Sequence, residues 1–112
     1  MVGENFGNLM ETMERDFPYE VSEIKECGLT ETRANHIRPP RIQEAFGWLE
    51  CRMTQYISLY ERNVWIIGEV LQVDVRDDAF DNVVDVEKVK PLNHIWSEAF
   101  VTRMKRTRFK RA

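Results

Sequence analysis

The 112-residue chain predicts a mainly β fold with short helices, an α+β arrangement organised around one long antiparallel hairpin. Three observations carry that expectation. From Ala45 to Leu59 the residues alternate, with Leu49, Cys51 and Met53 on one face and Trp48, Glu50, Arg52 and Thr54 on the other, the period-two pattern of a half-buried strand. The stretch "NVWIIGEVLQVDV", Asn63 to Val75, is the most apolar in the chain, and "LYERN" before it supplies a turn. Upstream of the hairpin, helical spacing appears only in short runs that proline or glycine ends.

The elements follow in order. Phe6, Leu9, Met10 and Met13 recur at helical spacing, so a first helix is expected over Asn5 to Arg15, with Asn5 or Asn8 offering a cap oxygen. Pro18 disfavours helical geometry at Phe17, and "VSEIKECGLT" reads as a short second helix capped by Ser22 and stopped by Gly28. "TETRANHIRPPRI", Thr30 to Ile42, lacks periodicity, and Pro39 with Pro40 makes it an extended surface crossing. After the hairpin, "VDVEKVKP" allows one helical turn, while "HIWSEAFVTRM" fits strand or helix.

In strict alternation Val64, Ile66, Gly68 and Val70 share one face of the second strand. Trp65, Ile67, Leu71, Val73 and Val75 share the other, interrupted by Glu69. Both faces of its first half therefore read as buried. Since an isolated hairpin is marginal in water, neighbouring β-structure from this molecule or its twin is expected to shield it. A helix there, or one flank bare to solvent in a lone monomer, would overturn the fold assignment and the function built on it. Glu69 is expected at the rim, paired with a base such as Arg52, with a proton-donor role as the alternative.

Composition bounds the function. With 43% hydrophobic and 31% charged residues, the chain belongs with ordinary globular domains. No run approaches the roughly 20 apolar residues of a bilayer span, and the acidic N-terminus lacks a signal-peptide layout, so no membrane and a cytoplasmic location are expected. Cys27 and Cys51 form neither a disulfide framework nor a zinc motif, and His36 and His94 lie far apart; no metal site is expected. The last ten residues, "RMKRTRFKRA", hold six of the 16 basic residues and no acid, which leaves the rest at −9. Such a tail is read as a solvated terminus or a segment clamped on an acidic body. Nucleic acid is the less favoured partner, because this is one lone basic cluster without aromatic interleaving.

Five ordered words carry a family resemblance: "VSEIKECGLT" (Val21 to Thr30), "IRPPRIQEA" (Ile37 to Ala45), "LECR" (Leu49 to Arg52), "IGEV" (Ile67 to Val70) and "VDVEKVKPL" (Val84 to Leu92). Together they resemble the flavin reductase-like family, whose fold is an FMN-binding split β-barrel. The resemblance covers about residues 5 to 100 and only the later part of the family's domain. It therefore implies a partial antiparallel split barrel, with residues 1–112 a single, N-terminally truncated domain of that kind. It also implies FMN as cofactor, a homodimer, and electron transfer from NADH or NADPH through the flavin to a flavin or other acceptor. Asn8 resembles the asparagine of a cofactor-binding word in the family and is the one cofactor-binding residue assigned.

The departures from the family matter as well. Asn63 stands where relatives often carry a histidine close to the flavin, so no catalytic residue is assigned, and His94, Ile95 and Trp96 replace a glycine-containing word. Trp48, Trp65 and Trp96 are read as core before cofactor wall. Two alternatives stand beside the flavin reading: a non-catalytic half-domain or split-gene remnant that dimerises without FMN, and a small nucleic-acid-binding module using the basic tail.

Overall fold

The computed structural model describes residues 1–61 and 63–110. A 3₁₀ turn (Glu4–Leu9) runs into α1 (Met10–Met13), and α2 (Glu23–Glu26) follows. Two-residue strands β1 (Glu31–Thr32) and β2 (Arg41–Ile42) pair antiparallel, which gives the proline-rich crossing two anchored ends. The hairpin of β3 (Gly47–Tyr60) and β4 (Asn63–Val75) dominates the fold. A second 3₁₀ turn (Asp77–Ala79), the small pair β5 (Phe80–Asp81) and β6 (Val83–Val84), α3 (Val86–Val89), and the pair β7 (Asn93–Trp96) and β8 (Ala99–Val101) complete it. The expected turn at Leu59 to Asn63 lies where the chain reverses, although its Arg62 falls outside the described residues, as do Arg111 and Ala112 of the tail.

Local chemistry explains the short elements. Gly28 adopts φ +68° just beyond α2; its N–H donates to Lys25 O and that of Leu29 to Ile24 O, both at 2.9 Å, the paired carbonyl capping that ends a helix in the left-handed region. Ser22 occupies the N-cap position, yet its hydroxyl donates to the Glu31 carboxylate and caps no helix amide. Neither Asn5 nor Asn8 caps the first helix, which starts at Gly3 without a side-chain cap and as a 3₁₀ turn. The ambiguous "HIWSEAFV" segment is a β-hairpin, with Ser97 at φ 51° in its turn.

Register decides what each hairpin face carries. Opposed residues share a face, and the pairing shifts by one residue at three places. Val70 opposes Cys51 while Gln72 opposes Glu50, so Leu71 is the extra residue on β4; Thr54 and Leu59 are the extra residues on β3. Strict alternation therefore fails beyond Leu71. Val73 and Val75 join Val70, Gly68, Ile66 and Val64, and not Trp65 and Ile67 as simple alternation expects. Gly68 is needed because a Cβ there would lie 3.3 Å from both Arg52 O and Cys51 Cβ.

The core is small. Its buried apolar residues are Phe6, Ala34, Ala45, Phe46 and Ala79, gathered where the N-terminal turn and the crossing meet the base of the hairpin. Gly3 is packed against α3, and its neighbour Glu4 donates its N–H to Lys90 O at 2.9 Å. The accessible surface is 9610 Å², whereas a compact 13.3 kDa monomer exposes about 6,500 Å². The radius of gyration, 16.2 Å, likewise exceeds the roughly 13 Å of a compact domain this long.

The excess lies largely on the hairpin. From Cys51 outward every described residue of β3 is exposed, and β4 is exposed from Asn63 to Leu71. The expectation that its first half is shielded on both faces is not met by this chain, because none of its other elements reaches that far. The ribbon is nonetheless a strand, as expected.

Candidate functional site

The most ordered polar cluster sits at the root of the hairpin. Glu50, 1% exposed, accepts the backbone N–H of Asn35 at 2.8 Å and of His36 at 2.6 Å. Arg41 adds its Nε at 2.7 Å, and its Nη2 is shared between Glu50 and Asp74, at 2.5 Å from the latter. Gln72 Nε2 donates to the same Asp74 oxygen at 2.5 Å, and Trp48 Nε1 donates to Ile42 O at 2.8 Å beneath the Arg41 guanidinium. Burial alone would raise the Glu50 carboxyl, but the two amides and the guanidinium outweigh it and hold it below the ordinary carboxylate range.

This arrangement is chemically closed. Glu50 is ionised, its oxygens already face amides and a guanidinium, and Arg41 has two carboxylates as partners. Neither is placed to exchange a proton with a substrate. What the cluster does is pin the crossing onto the hairpin root. The sequence marks both residues inside the words "PPRI" and "LECR", but their convergence with Asp74 was not foreseen.

Asn8 lies exposed on the 3₁₀ turn, and among the described residues no side-chain hydrogen bond reaches it. It borders, without lining, a groove formed by Glu4, Met10, Glu11, Glu14, Leu92 and Phe100. That groove is acidic and ill suited to a phosphate. A second groove is lined by Val86, Glu87, Lys90, Arg103, Met104 and Lys105, where the basic tail crosses α3 and Arg106 N–H donates to Glu87 at 3.2 Å. The tail is thus held against acidic residues of the body, as its charge suggested. Lys90 there is paired with Glu4 at 2.6 Å, a contact that lowers the Glu4 carboxyl. A third, small polar groove brings together Asn5, Glu44, Arg76 and Lys88, with Asp78 pairing both cations.

FMN needs cations or amides for its phosphate and an apolar slot for its ring in one place. The cationic groove under the tail offers only Val86 and Met104, and the more apolar one, along Val73, Val75 and Phe80, carries Asp74 and Asp77. A smaller groove joins Arg41 to Ile37, Pro40, Ile42 and Trp48, but that guanidinium is already paired with Glu50 and Asp74. None of these grooves by itself holds both a free cation and a ring-sized slot, and no chemical step through the cofactor is derived from them. Trp48 is structural. Trp65 and Trp96 are exposed, contrary to the core role expected for them.

The remaining expectations can be placed. Glu69 pairs with Arg52 at 2.6 Å across the strands, as expected. Cys27 and Cys51 are free thiols. His36 contributes its backbone amide to Glu50, and the His94 ring stacks on Phe100. No cluster of metal-binding side chains occurs among the described residues, and none of their helices is long and apolar enough to cross a membrane.

The short helices, the antiparallel ladder and the long bare hairpin define part of a split β-barrel. The chain belongs to the flavin reductase like domain family, which it matches over residues 1–99. It is 33% identical over 103 residues to an uncharacterized protein of Aquifex aeolicus, covering 90% of this chain and 52% of that protein. Its fold is similar to that of the 2-nitrobenzoate 2-nitroreductase NbaA of Pseudomonas fluorescens (TM-score 0.81, 23% identity, 100% of this chain and 57% of that one). It is also similar to a split barrel domain protein of Shewanella frigidimarina assigned to the flavin reductases (TM-score 0.84, 18% identity, 99% and 58%). The chain thus spans about half the length of the relatives it matches. Among the described residues the strands close no barrel, and the bare flanks of β4 do not overturn the split-barrel fold, contrary to the expectation that they would, because the fold likeness holds over the whole chain with the arm uncovered.

Proposed function

We propose that the chain is the hairpin-bearing portion of an FMN-dependent oxidoreductase that acts as a homodimer. The flavin would carry electrons from NADH or NADPH to a flavin or other acceptor, and the protein's part is binding and orientation. Membership of the flavin reductase like family over residues 1–99 is the observation that carries this reading. The uncovered hairpin supports it, because the described residues leave both faces of its arm open to further β-structure.

Within this reading the missing side of the cofactor cradle comes from β-structure docked on the hairpin, and Asn8 is the one contact assigned to this chain. The test is visible absorption of the purified chain with FMN added. A stoichiometric yellow complex is expected. Asn8→Ala should then weaken FMN binding about tenfold, the loss of one good hydrogen bond.

The second reading, a half-domain that associates without flavin, draws on the pairing of Arg41, the cation of the apolar groove beside Trp48, with Glu50 and Asp74. A chain that remains colourless with excess FMN, while still self-associating, would favour it.

A further inference from the structure

Between Thr32 and Arg41 the crossing carries Arg33, His36 and Arg38 and no acid, on an otherwise acidic body. All three residues are exposed, and among the described residues none of them pairs with a carboxylate, whereas Arg41 beside them is paired twice. The backbone beneath them is fixed. β1 and β2 hold its ends, Glu50 accepts the amides of Asn35 and His36, Ala34 is buried, and Pro39 with Pro40 locks two further torsions. Beside this loop lies a groove of about 220 Å³ lined by Ile37, Pro40, Ile42, Ala45 and Trp48, together with Arg41 and Glu50, which are paired with each other.

We propose that the crossing docks an acidic segment of another protein, with one apolar side chain of that segment in the groove and its carboxylates on Arg33, His36 and Arg38. This goes beyond the electron-transfer reading and does not require bound flavin. Size is the first argument. Pockets for cofactor-sized ligands start at about 300 Å³, so this groove takes one side chain. Reach is the second. Ile37 lines the groove, but its neighbours His36 and Arg38, with Cα atoms about 3.8 Å away, do not. A molecule small enough to fill the groove meets only a closed ion pair, whereas a peptide crossing its mouth also reaches the unpaired cations.

Charge is the third argument. An acidic segment is repelled by the body and drawn to this loop, so the field orients it as well as attracting it. Tryptophan and arginine are the residues that anchor such contacts, and Trp48 is already held by its bond to Ile42 O at 2.8 Å. A loop fixed beforehand also loses little entropy on binding. A nucleic acid is the poorer match, because its backbone needs a row of cations and would run on from this loop over acidic surface.

The test selects ligands for the unaltered chain from a displayed library of random peptides. The selected sequences are expected to share glutamates or aspartates around a single apolar residue. A synthetic peptide of that consensus, followed by fluorescence anisotropy, should bind more weakly as salt is raised. Arg33→Glu combined with Arg38→Glu should weaken it about tenfold or more, and Ile37→Asp should do the same by placing a charge in the groove. A peptide with lysines in place of its acids should bind the charge-reversed chain better than the unaltered one, a rescue that a folding defect cannot produce. A selection without an acidic consensus, equal binding by the unaltered and charge-reversed chains, or equally tight binding of single-stranded DNA would each overturn the proposal. So would a self-associated chain that the charge reversal dissociates, since the loop would then belong to a contact between copies.

Discussion

The root and the arm of the β3–β4 hairpin belong to the same two strands but are built for different surroundings. At the root, Glu50 is fully enclosed, Trp48 is tied to Ile42, and the crossing lies over the strands. Along the arm, Ile66 is 65% exposed and Trp65 62% exposed, and the ion pair of Arg52 with Glu69 stands in solvent. Ladder hydrogen bonds run through both halves, so backbone pairing alone does not separate them. The difference lies in what covers them. Among the described residues there is cover for the root and none for the arm, which teaches that the root holds the chain's own fold while the arm is left open.

Substitutions can break that contrast, beginning at the root. Glu50→Ala should have the largest effect, since it strands Arg41 and two backbone amides in a buried site; a melting temperature lower by about 10 °C or more is expected by circular dichroism. The same carboxylate predicts a pH dependence. Its native pKa lies below the ordinary value of 4.5, so its stabilisation is complete above about pH 4.5 and drains away as the pH falls through the native value. Melts from pH 7 down to pH 3 should show a steeper acid decline in the unaltered chain than in Glu50→Gln.

Gly3→Ala comes next. A Cβ at Gly3 would sit 2.6 Å from Val89 O, a backbone atom that cannot swing aside. The N-terminal segment must shift, at a cost of about 1–3 kcal/mol measured by urea unfolding.

The smallest effects belong to the arm. In a monomer, Trp65→Ala and Arg52→Ala should each change stability by less than about 1 kcal/mol, because one side chain has little cover and the other sits in an exposed pair. A large loss on Trp65→Ala under conditions where the chain is monomeric would show the arm to be packed after all, and the contrast with the root would collapse.

Much of the fold could be read from residue order. Alternation from Ala45 onward located β3, the apolar run located β4 to its ends, and Gly28 ended α2 where a left-handed residue was needed. The five words pointed to the family that residues 1–99 match. The site was less legible. Asn8, chosen by resemblance, borders an acidic groove without lining it, while the clamp of Arg41, Glu50 and Asp74 is not legible because its members are distant in sequence and meet only when the crossing folds back. The exposure of Trp65 and Trp96 could not be inferred either, since an aromatic residue in a strand reads the same whether its cover comes from the same chain or another.

What the sequence by itself determined is the long hairpin and the short second helix before it, because helix stop signals, proline geometry and side-chain alternation act over a few residues. Only the tertiary structure decided which side chains share a face of the hairpin and which of them are covered. A single extra residue at Leu71 moves Val73 and Val75 to the opposite side. Such a bulge is set by the pairing of one strand with another, which the alternation along either strand alone does not record.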